Sequence, residues 1–286
     1  MVTSTDNWLD SLVKHPIFET DQKQRVDIAE HTNNVEQFIL QHHICILTMR
    51  DNDLFVAVGS KIRVLNLTEF KEAHNKSSDD DYSALSSVHY KLLDTPEIDF
   101  DIQSLTLNLN GRLLSVKGKH SLVVVCLPRQ GFGDVLLKRE VDCRTLAVGK
   151  KYYQKAQLIK VSWHPLSETR THLVVLDSDS MLRIFDMSTD IEEPEQSFDL
   201  SPIENNSETN TDLNRGFSFQ EKDVNGYEDA VTFSLGGNSQ EQSGWEPFTV
   251  YYALRNGHIY SICPVIPFQS VVHQEHLNYL LCLTEA

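Results

Sequence analysis

The chain has 286 residues, 40% hydrophobic and 23% charged, the balance of a soluble globular protein long enough for one sizeable all-β domain. It carries 41 acidic against 25 basic side chains, a net charge of −16, so it lacks the basic face that direct nucleic-acid binding requires. No apolar run approaches the roughly 18 residues of a membrane span, and the first residues, MVTSTDNWLDSLVKHPIF, hold early acids and no apolar signal core.

In chain order, Thr3–Phe18 reads as an ordered leader with Trp8, Leu9, Leu12 and Val13 at helical spacing, suited to a short helix packed on the domain or to a partner-binding motif. Asp21–Asn34 is a polar loop. Ile44–Leu67 carries a first pair of apolar strands and Thr68–Ala84 reads as a solvated loop, with Val88–Leu92 a candidate outer strand. Ile102–Leu127 repeats the pair and ends at Pro128; Val135–Cys143 is a candidate outer strand of that unit, and Lys150–Tyr153 leads into the next.

The third unit, Leu158–Met187, is the most legible. Leu158–Trp163 is β-prone, His164-Pro165 breaks it, and His172–Leu176 is a continuous apolar run suited to a strand buried on both faces. Asp177-Ser178-Asp179-Ser180 is a turn whose side chains bond their own backbone, and Leu182–Met187 follows with Arg183 between apolar neighbours. Ile62–Leu67, Leu122–Leu127 and Leu182–Met187 begin at a constant spacing of 60 residues. A fixed period names the architecture: a WD-like β-propeller whose blades exceed the roughly 40–45 residues of a standard WD unit and therefore carry long outer loops. A fourth unit, Tyr227–Leu235 with Phe248–Cys263, follows the insertion Ile191–Asn225, and Val271–Leu283 reads as helical. The domain plan is a leader over 1–40, blades over 41–268 and a helical segment over 269–286.

The insertion is acidic and rich in Ser, Asn and Pro, with little to bury, and is expected to lack fixed structure. Its charge is the chain's one electrostatic bet for binding a basic partner, carried by Asp190, Glu192, Glu193 and Glu195 at its start; the alternative is a solvated loop that maintains solubility. Cysteines 45, 126, 143, 263 and 282 are odd in number, form no CxxC pair and sit mostly in apolar strands, so they read as buried reduced thiols, and the sequons at Asn66, Asn75 and Asn205 as chance matches.

Motifs for chemistry are sparse. His42-His43 and His273/His276 have no thiolate or carboxylate pattern completing a metal site, and Asp177/Asp179 and Asp51/Asp53 occupy the same blade turn, where turn chemistry explains them. There is no Walker loop, GxGxxG or GxSxG, and Gly131-Phe132-Gly133 is a lone FG. Trp163 reads as a blade-core anchor. The expectation is a protein that is not an enzyme, with no catalytic residue, metal or cofactor.

An ordered set of segments resembles the nucleoporin 82/88 family: LTLNLNGRLLSVKGKHSLVVVCLP (Leu105–Pro128), Val141-Asp142-Cys143-Arg144-Thr145, WHPLS…HLVVLDSDSMLRIFDM within Leu158–Met187, GFSFQEKDVNGYEDAVTFSL (Gly216–Leu235) and WEPFTVYYALRNGHIYSICPVIP (Trp245–Pro267). The resemblance covers about residues 40 to 268 and implies an N-terminal propeller of about seven blades followed by long coiled coils. It further implies a scaffold on the cytoplasmic side of the nuclear pore complex, anchoring partner nucleoporins and supporting mRNA export and nucleocytoplasmic transport. About four blades are countable here and no heptad seam follows, which reads as an N-terminal portion of such a protein. The rival readings are a WD-type adaptor of another complex, such as a ubiquitin-ligase receptor or coat, and a propeller hydrolase, which would need polar groups converging on the central channel.

Overall fold

Strands rich in Val, Leu and Ile, punctuated by turns every five to seven residues, give the computed structural model sixteen strands among the residues it describes, which are 8–19, 45–76, 88–129, 132, 139–201, 228–237 and 244–285. A short helix α1 (Trp8–Val13) and a 3-10 turn (Pro16–Phe18) precede β1 (Leu47–Arg50), β2 (Asp53–Val58), β3 (Lys61–Asn66), helix α2 (Leu67–Lys76) and β4 (Lys91–Asp94). Then come β5 (Ser104–Leu107), β6 (Leu113–Lys117), β7 (Leu122–Cys126), β8 (Glu140–Asp142) and β9 (Arg144–Ala147). The third group is β10 (Leu158–Trp163), β11 (His172–Asp177), β12 (Met181–Asp186) and β13 (Gln196–Asp199); the fourth is β14 (Ala230–Leu235), β15 (Val250–Leu254) and β16 (Ile259–Ile262), with helix α3 (Gln274–Glu285) last.

The strands form four sheets ordered β1-β2-β3-β4-β8, β5-β6-β7-β9, β10-β11-β12-β13 and β14-β15-β16. All pairings are antiparallel except β4 with β8. The first strand of each sheet touches the first strand of the next, so β1, β5, β10 and β14 line the inner side of an arc of blades that does not close into a ring. Cys45 bridges Ser104 in parallel at the first of these junctions. Ile62, Leu122 and Leu182 fall in β3, β7 and β12, the third strand of three successive blades, as the spacing of 60 requires.

Alternation decides which residue meets which neighbour, because successive side chains leave a strand on opposite faces. In β11, Leu173 and Val175 face blade two with Leu122, Val124 and Trp163, whereas Val174 and Leu176 face blade four with Phe233, Val250 and Leu254. The unbroken LVVL run is therefore two half-cores interleaved in one strand. In β7, Val123 and Val125 likewise join Phe55, Ile62 and Val64 of blade one. The face of blade one turned away from blade two is covered by the leader: Leu12 and Ile17 pack on Leu54, Val56, Leu65 and Phe70.

Long cations bind the blades where apolar packing leaves carbonyls unpaired. Arg50 donates to the Gly111 and Pro128 oxygens (3.2 and 3.0 Å), Lys117 to Gln103 Oε1 and the Leu158 oxygen (3.1 and 3.2 Å), and Lys160 to the Phe233 oxygen (2.7 Å), each crossing to the next blade or its loops. Arg63 holds the leader through the Pro16, Ile17 and Glu19 oxygens at 2.8–3.1 Å. At the crossover into blade three, Gly149 has φ +54, and a Cβ there would lie 2.8 Å from Phe185 Cζ, so both the left-handed backbone and the close approach call for glycine.

Four expectations need correction. Thr68–Ala84 is not simply a loop: α2 starts at Leu67 because the Asn66 carbonyl oxygen of the side chain accepts the Thr68 and Glu69 N–H groups (3.0 and 3.1 Å) while Leu67 and Phe70 are buried; residues 77–87 lie outside the described residues. Of Val135–Cys143, Glu140–Asp142 joins blade one in parallel with β4, and blade two takes β9 as its outer strand, since the chain crosses the gap between blades before turning back. The insertion does not begin at Ile191, for β13 completes blade three by pairing Leu182 with Phe198 and Ile184 with Gln196; residues 202–227 lie outside the described residues. Blades one and four hold five and three strands among the described residues. Only Cys143 is buried: Cys45, Cys263 and Cys282 are exposed, lying on the inner rim, after the last strand and on α3.

Trp163 anchors the joint between blades two and three: it is 8% exposed and its indole N–H donates to the Thr106 oxygen at 2.9 Å. We expect Trp163→Ala to lose about 3–5 kcal/mol of unfolding free energy by denaturant titration, and Trp163→Phe, which keeps a ring but drops the hydrogen bond, clearly less. Lys117 supplies a second test. Burial pulls its pKa from 10.5 to about 8, so the unfolded chain holds the extra proton between these values and folding stability rises with pH across that window. The stability of the native chain relative to Lys117→Met should therefore climb between pH 8 and 10 by about 2 kcal/mol; a flat difference would show that Lys117 titrates normally.

Candidate functional site

A blade-three corner concentrates the chain's buried polar chemistry. Proline 165 ends the strand that begins at Leu158, and the corner 164–171 carries Ser167 beneath His172, the first residue of β11. Ser167 Oγ lies 2.7 Å from His172 Nδ1 and accepts the Thr171 and His172 N–H groups at 3.1 and 3.3 Å. The Ser167 hydroxyl and Nδ1 share one hydrogen bond, and Nε2 on the far side of the ring makes none. That nitrogen faces Glu195 Oε2 at 3.4 Å and Asp186 Oδ2 at 3.8 Å. Burial disfavours charge on Asp186, yet hydrogen bonds from the Thr171 hydroxyl (2.6 Å) and from Ser188 outweigh it and hold the carboxyl below its ordinary range.

A serine, a histidine and a carboxylate in one chain of contacts invite comparison with a hydrolytic triad. His172 is fully buried and Ser167 and Asp186 are 5% and 3% exposed, so no substrate reaches the hydroxyl. The arrangement ties β11, β12 and the β12–β13 turn together; it is a brace. Among the described residues no three His, Cys, Asp or Glu side chains are arranged to hold a metal ion.

The four acids singled out from sequence lie beside this brace. Asp190 Oδ1 accepts the N–H groups of Glu192 and Glu193 (2.8 and 3.1 Å), which lowers its pKa and shapes the turn. Glu193 is held by Lys151 and by the Tyr152 hydroxyl (2.6 Å), which lower its pKa in that order. Glu195 turns inward to His172 and accepts the Phe268 N–H at 3.3 Å. Glu192 is exposed and its carboxylate makes no bond among the described residues. The four acids are thus brought to one turn, but three of them are spent on intrachain contacts.

Other candidates find structural employment. Asp177 accepts the Asp179 and Met181 N–H groups (2.9 and 3.1 Å) and pairs with Arg183, while Asp53 pairs with Arg50 and takes the Asn66 amide. Phe132 of the lone FG is buried against Phe55 under the Arg50 guanidinium. His276 bonds the Gly244 oxygen at 2.8 Å and packs on Phe248; His42 and His43 lie outside the described residues. The brace itself was missed in the sequence, though a histidine opening an apolar run and followed by an aspartate at the end of the next strand is a readable sign of one.

A strap from Val265 to Val271 crosses from blade four back onto the corner. The Val271 N–H donates to the Leu166 oxygen (2.9 Å), the Glu168 N–H to the Gln269 oxygen (3.0 Å) and the Gln196 amide to the Ile266 oxygen (2.7 Å). His164 completes the joint: Nδ1 accepts the Leu166 N–H at 3.2 Å and the ring bonds the Val265 backbone, a pattern only the neutral ring satisfies. Burial takes its pKa from 6.5 down to about 4. The unfolded chain therefore binds this proton first, and the stability held above pH 6.5 is lost as pH falls toward 4. Between pH 7 and 5 we expect a loss of about 2 kcal/mol from this ring, measured by urea unfolding, and a shallower acid limb in His164→Gln; parallel limbs would assign the acid sensitivity elsewhere.

Comparison with known proteins agrees with the blades. The family model described as Nucleoporin NUP82 beta-propeller matches residues 2–280. Nuclear pore complex protein NUP88 of Arabidopsis thaliana is 31% identical over 68% of the chain, and nucleoporin nup82 of Schizosaccharomyces pombe is 25% identical over 98% of it. The chain spans 22% and 34% of the lengths of those two relatives. Among solved structures, the Chaetomium thermophilum Nup82 NTD–Nup159 TAIL–Nup145N APD complex shares the fold, with a TM-score of 0.65 at 20% identity over 83% of this chain and 45% of the matched one. With repeated blades, ordered motifs and a family match running almost end to end, the chain belongs to the Nup82 β-propeller family of nucleoporins.

Proposed function

We propose that the chain is a non-enzymatic scaffold of the nuclear pore complex, seated on its cytoplasmic face, whose blades hold partner nucleoporins and the mRNA-export machinery. The observation that supports this most is the family match over residues 2–280, which takes in every blade and the corner brace. The solved relative from Chaetomium, as titled, is a heterotrimer of Nup82 NTD with Nup159 TAIL and Nup145N APD, and by kinship we assign this chain partners of the same two kinds. The mechanism is presentation: blades locked face to face keep their loops at fixed geometry, and affinity comes from a few anchors on those loops. The exposed apolar side chains Trp245, Phe268, Val271 and Tyr279, together with the acidic turn Asp190–Glu195, are the candidate anchors. No direct nucleic-acid contact is assigned, given the acidic balance.

The test is localisation followed by capture. A fluorescent fusion of the full-length protein should give a continuous nuclear rim, accessible to antibody when only the plasma membrane is permeabilised, and affinity capture from those cells should recover pore subunits. A diffuse signal, with ubiquitin-ligase or coat subunits in the captured fraction, would replace the scaffold reading by that of a WD-type adaptor.

A further inference from the structure

One cavity lies outside the brace and the strap. It opens on the rim where each blade's outer strand hands over to the inner strand of the next, between the crossover from blade one to two (residues 95–103) and that from blade two to three (148–157). It is half-open, with a volume of about 610 Å³, within the range of ligand-binding clefts. Its first wall carries Glu97, Asp99 and Phe100; Lys150 stands on the second crossover, His120 on the β6–β7 turn, and Tyr153 is buried at the side.

The walls are fixed, and their charges are free. Phe100 lies against Gly118 so closely that a Cβ there would meet its ring at 2.3 Å, which locks the aromatic wall in place. His120 is oriented by a 3.0 Å hydrogen bond from Nδ1 to the Ala156 oxygen, leaving Nε2 outward. Glu97, Asp99 and Lys150 are exposed, and none of them is in an ion pair among the described residues. Two acidic side chains, a basic one and the half-buried Phe100 ring therefore share one opening.

We infer that this cavity is a docking site for a surface loop of a partner protein, one that carries an apolar side chain between a basic and an acidic residue. Charge complementarity selects this occupant. A nucleic acid would be repelled by Glu97 and Asp99, and a purely acidic or purely basic segment would meet one matching and one opposing lip. The apolar anchor follows from the half-buried Phe100 ring, since buried aromatic contacts supply much of interface affinity. The inference rests on the scaffold reading for the macromolecular nature of the occupant.

The probe is a fluorescein-labelled cyclic peptide, Gly-Arg-Phe-Asp-Gly, titrated with the full chain in fluorescence polarisation. Saturable binding is expected, weakened at least fivefold when the peptide's Phe is replaced by Ala and at least fivefold in the Glu97→Lys/Asp99→Lys chain. These substitutions are on exposed positions, and an unchanged near-UV circular dichroism spectrum would show the fold intact. No saturable binding to the native chain, or equal affinity for the charge-reversed chain, would overturn the inference. Competition by N-acetyl-arginine amide as strong as by the peptide would also overturn it, in favour of a small-molecule pocket. A nuclear rim signal without peptide binding defeats this site alone, and peptide binding without a rim signal defeats the scaffold reading alone.

Discussion

Two-sided burial of the middle strands is the constraint on which this structure depends. A strand such as β11 has no solvent face, with every residue from His172 to Asp177 buried. It is stable only with a sheet packed on each side, and each apolar residue contributes about 1.5–3 kcal/mol by leaving water. Blade three satisfies this on both sides, through Trp163 and Phe185 toward blade two and through Ile184 and Leu182 toward blade four. A blade of this kind is one slice of a continuous stack and has no independent core. Blade one meets the same demand on its far face with a different element, the leader, whose Ile17 is fully buried under the Arg63 clamp. On blade four, Tyr251 and Ile259 leave the face opposite the blade-three core with 39% and 73% exposure.

Polar groups follow from that stacking. Between faces this apolar, an unpaired carbonyl costs about 1–3 kcal/mol, and the chain answers with long cations that donate to carbonyls across the joints. Lys117 and Lys160 each thread past apolar neighbours to a carbonyl of the next blade, and Arg50 does so at the blade-one joint. A lysine in such a place gives up part of its charge preference, which is why burial lowers the pKa of both lysines. The histidines at the corner make the complementary choice: His164 is kept neutral by burial and uses both ring nitrogens. Both kinds of joint therefore favour the uncharged side chain, and their contribution to stability rises with pH, near pH 4 to 6.5 for His164 and near pH 8 to 10.5 for Lys117.

What was legible in the sequence is what repeats. The third strand of each blade shows because β3, β7 and β12 are apolar at a spacing of 60 residues, and β11 shows because both its faces are core. The outer strands were misread because they are short and half-wet: β13 reads Gln-Ser-Phe-Asp, with a burial pattern that no run of apolar residues announces. For β8, the partner strand is 46 or more residues away, and pairing at that distance leaves no local mark. The α2 start is local chemistry, an Asn66 cap, hidden behind a reading of the segment as polar loop. Cys45 and Cys263 illustrate the converse, since an apolar neighbourhood in sequence does not imply burial when the strand lines the inner rim or an open edge. As for the candidate sites, Asp190–Glu195 was found by charge, but its role in holding the β12–β13 turn depends on contacts with Lys151 and His172 that only the fold brings near. The acidic and basic lips of the rim cavity are separated by more than 20 residues and had no sequence signature at all.

The two rims of the arc are built differently, and this bears on where partners can bind. One rim holds the corner, the strap and the β12–β13 turn, where Ser167, His164 and Gln196 are committed to intrachain bonds. Opening it to a partner would break several of these at once. The other rim holds the tight turns at Gly59, His120 and Ser178 and the crossovers between blades, whose backbones are fixed by bonds such as Ile102 N–H to the Gly59 oxygen and Ser178 N–H to the Gln157 oxygen. There the backbone is rigid while Glu97, Asp99 and Lys150 remain unspent. Rigid backbone spares the cost of ordering a loop on association, while each long side chain it presents still loses rotamer freedom. The crossover rim thus offers unspent charges on fixed backbone, whereas the corner rim offers only the side chains that point out of it, such as Phe268, Val271 and Glu192.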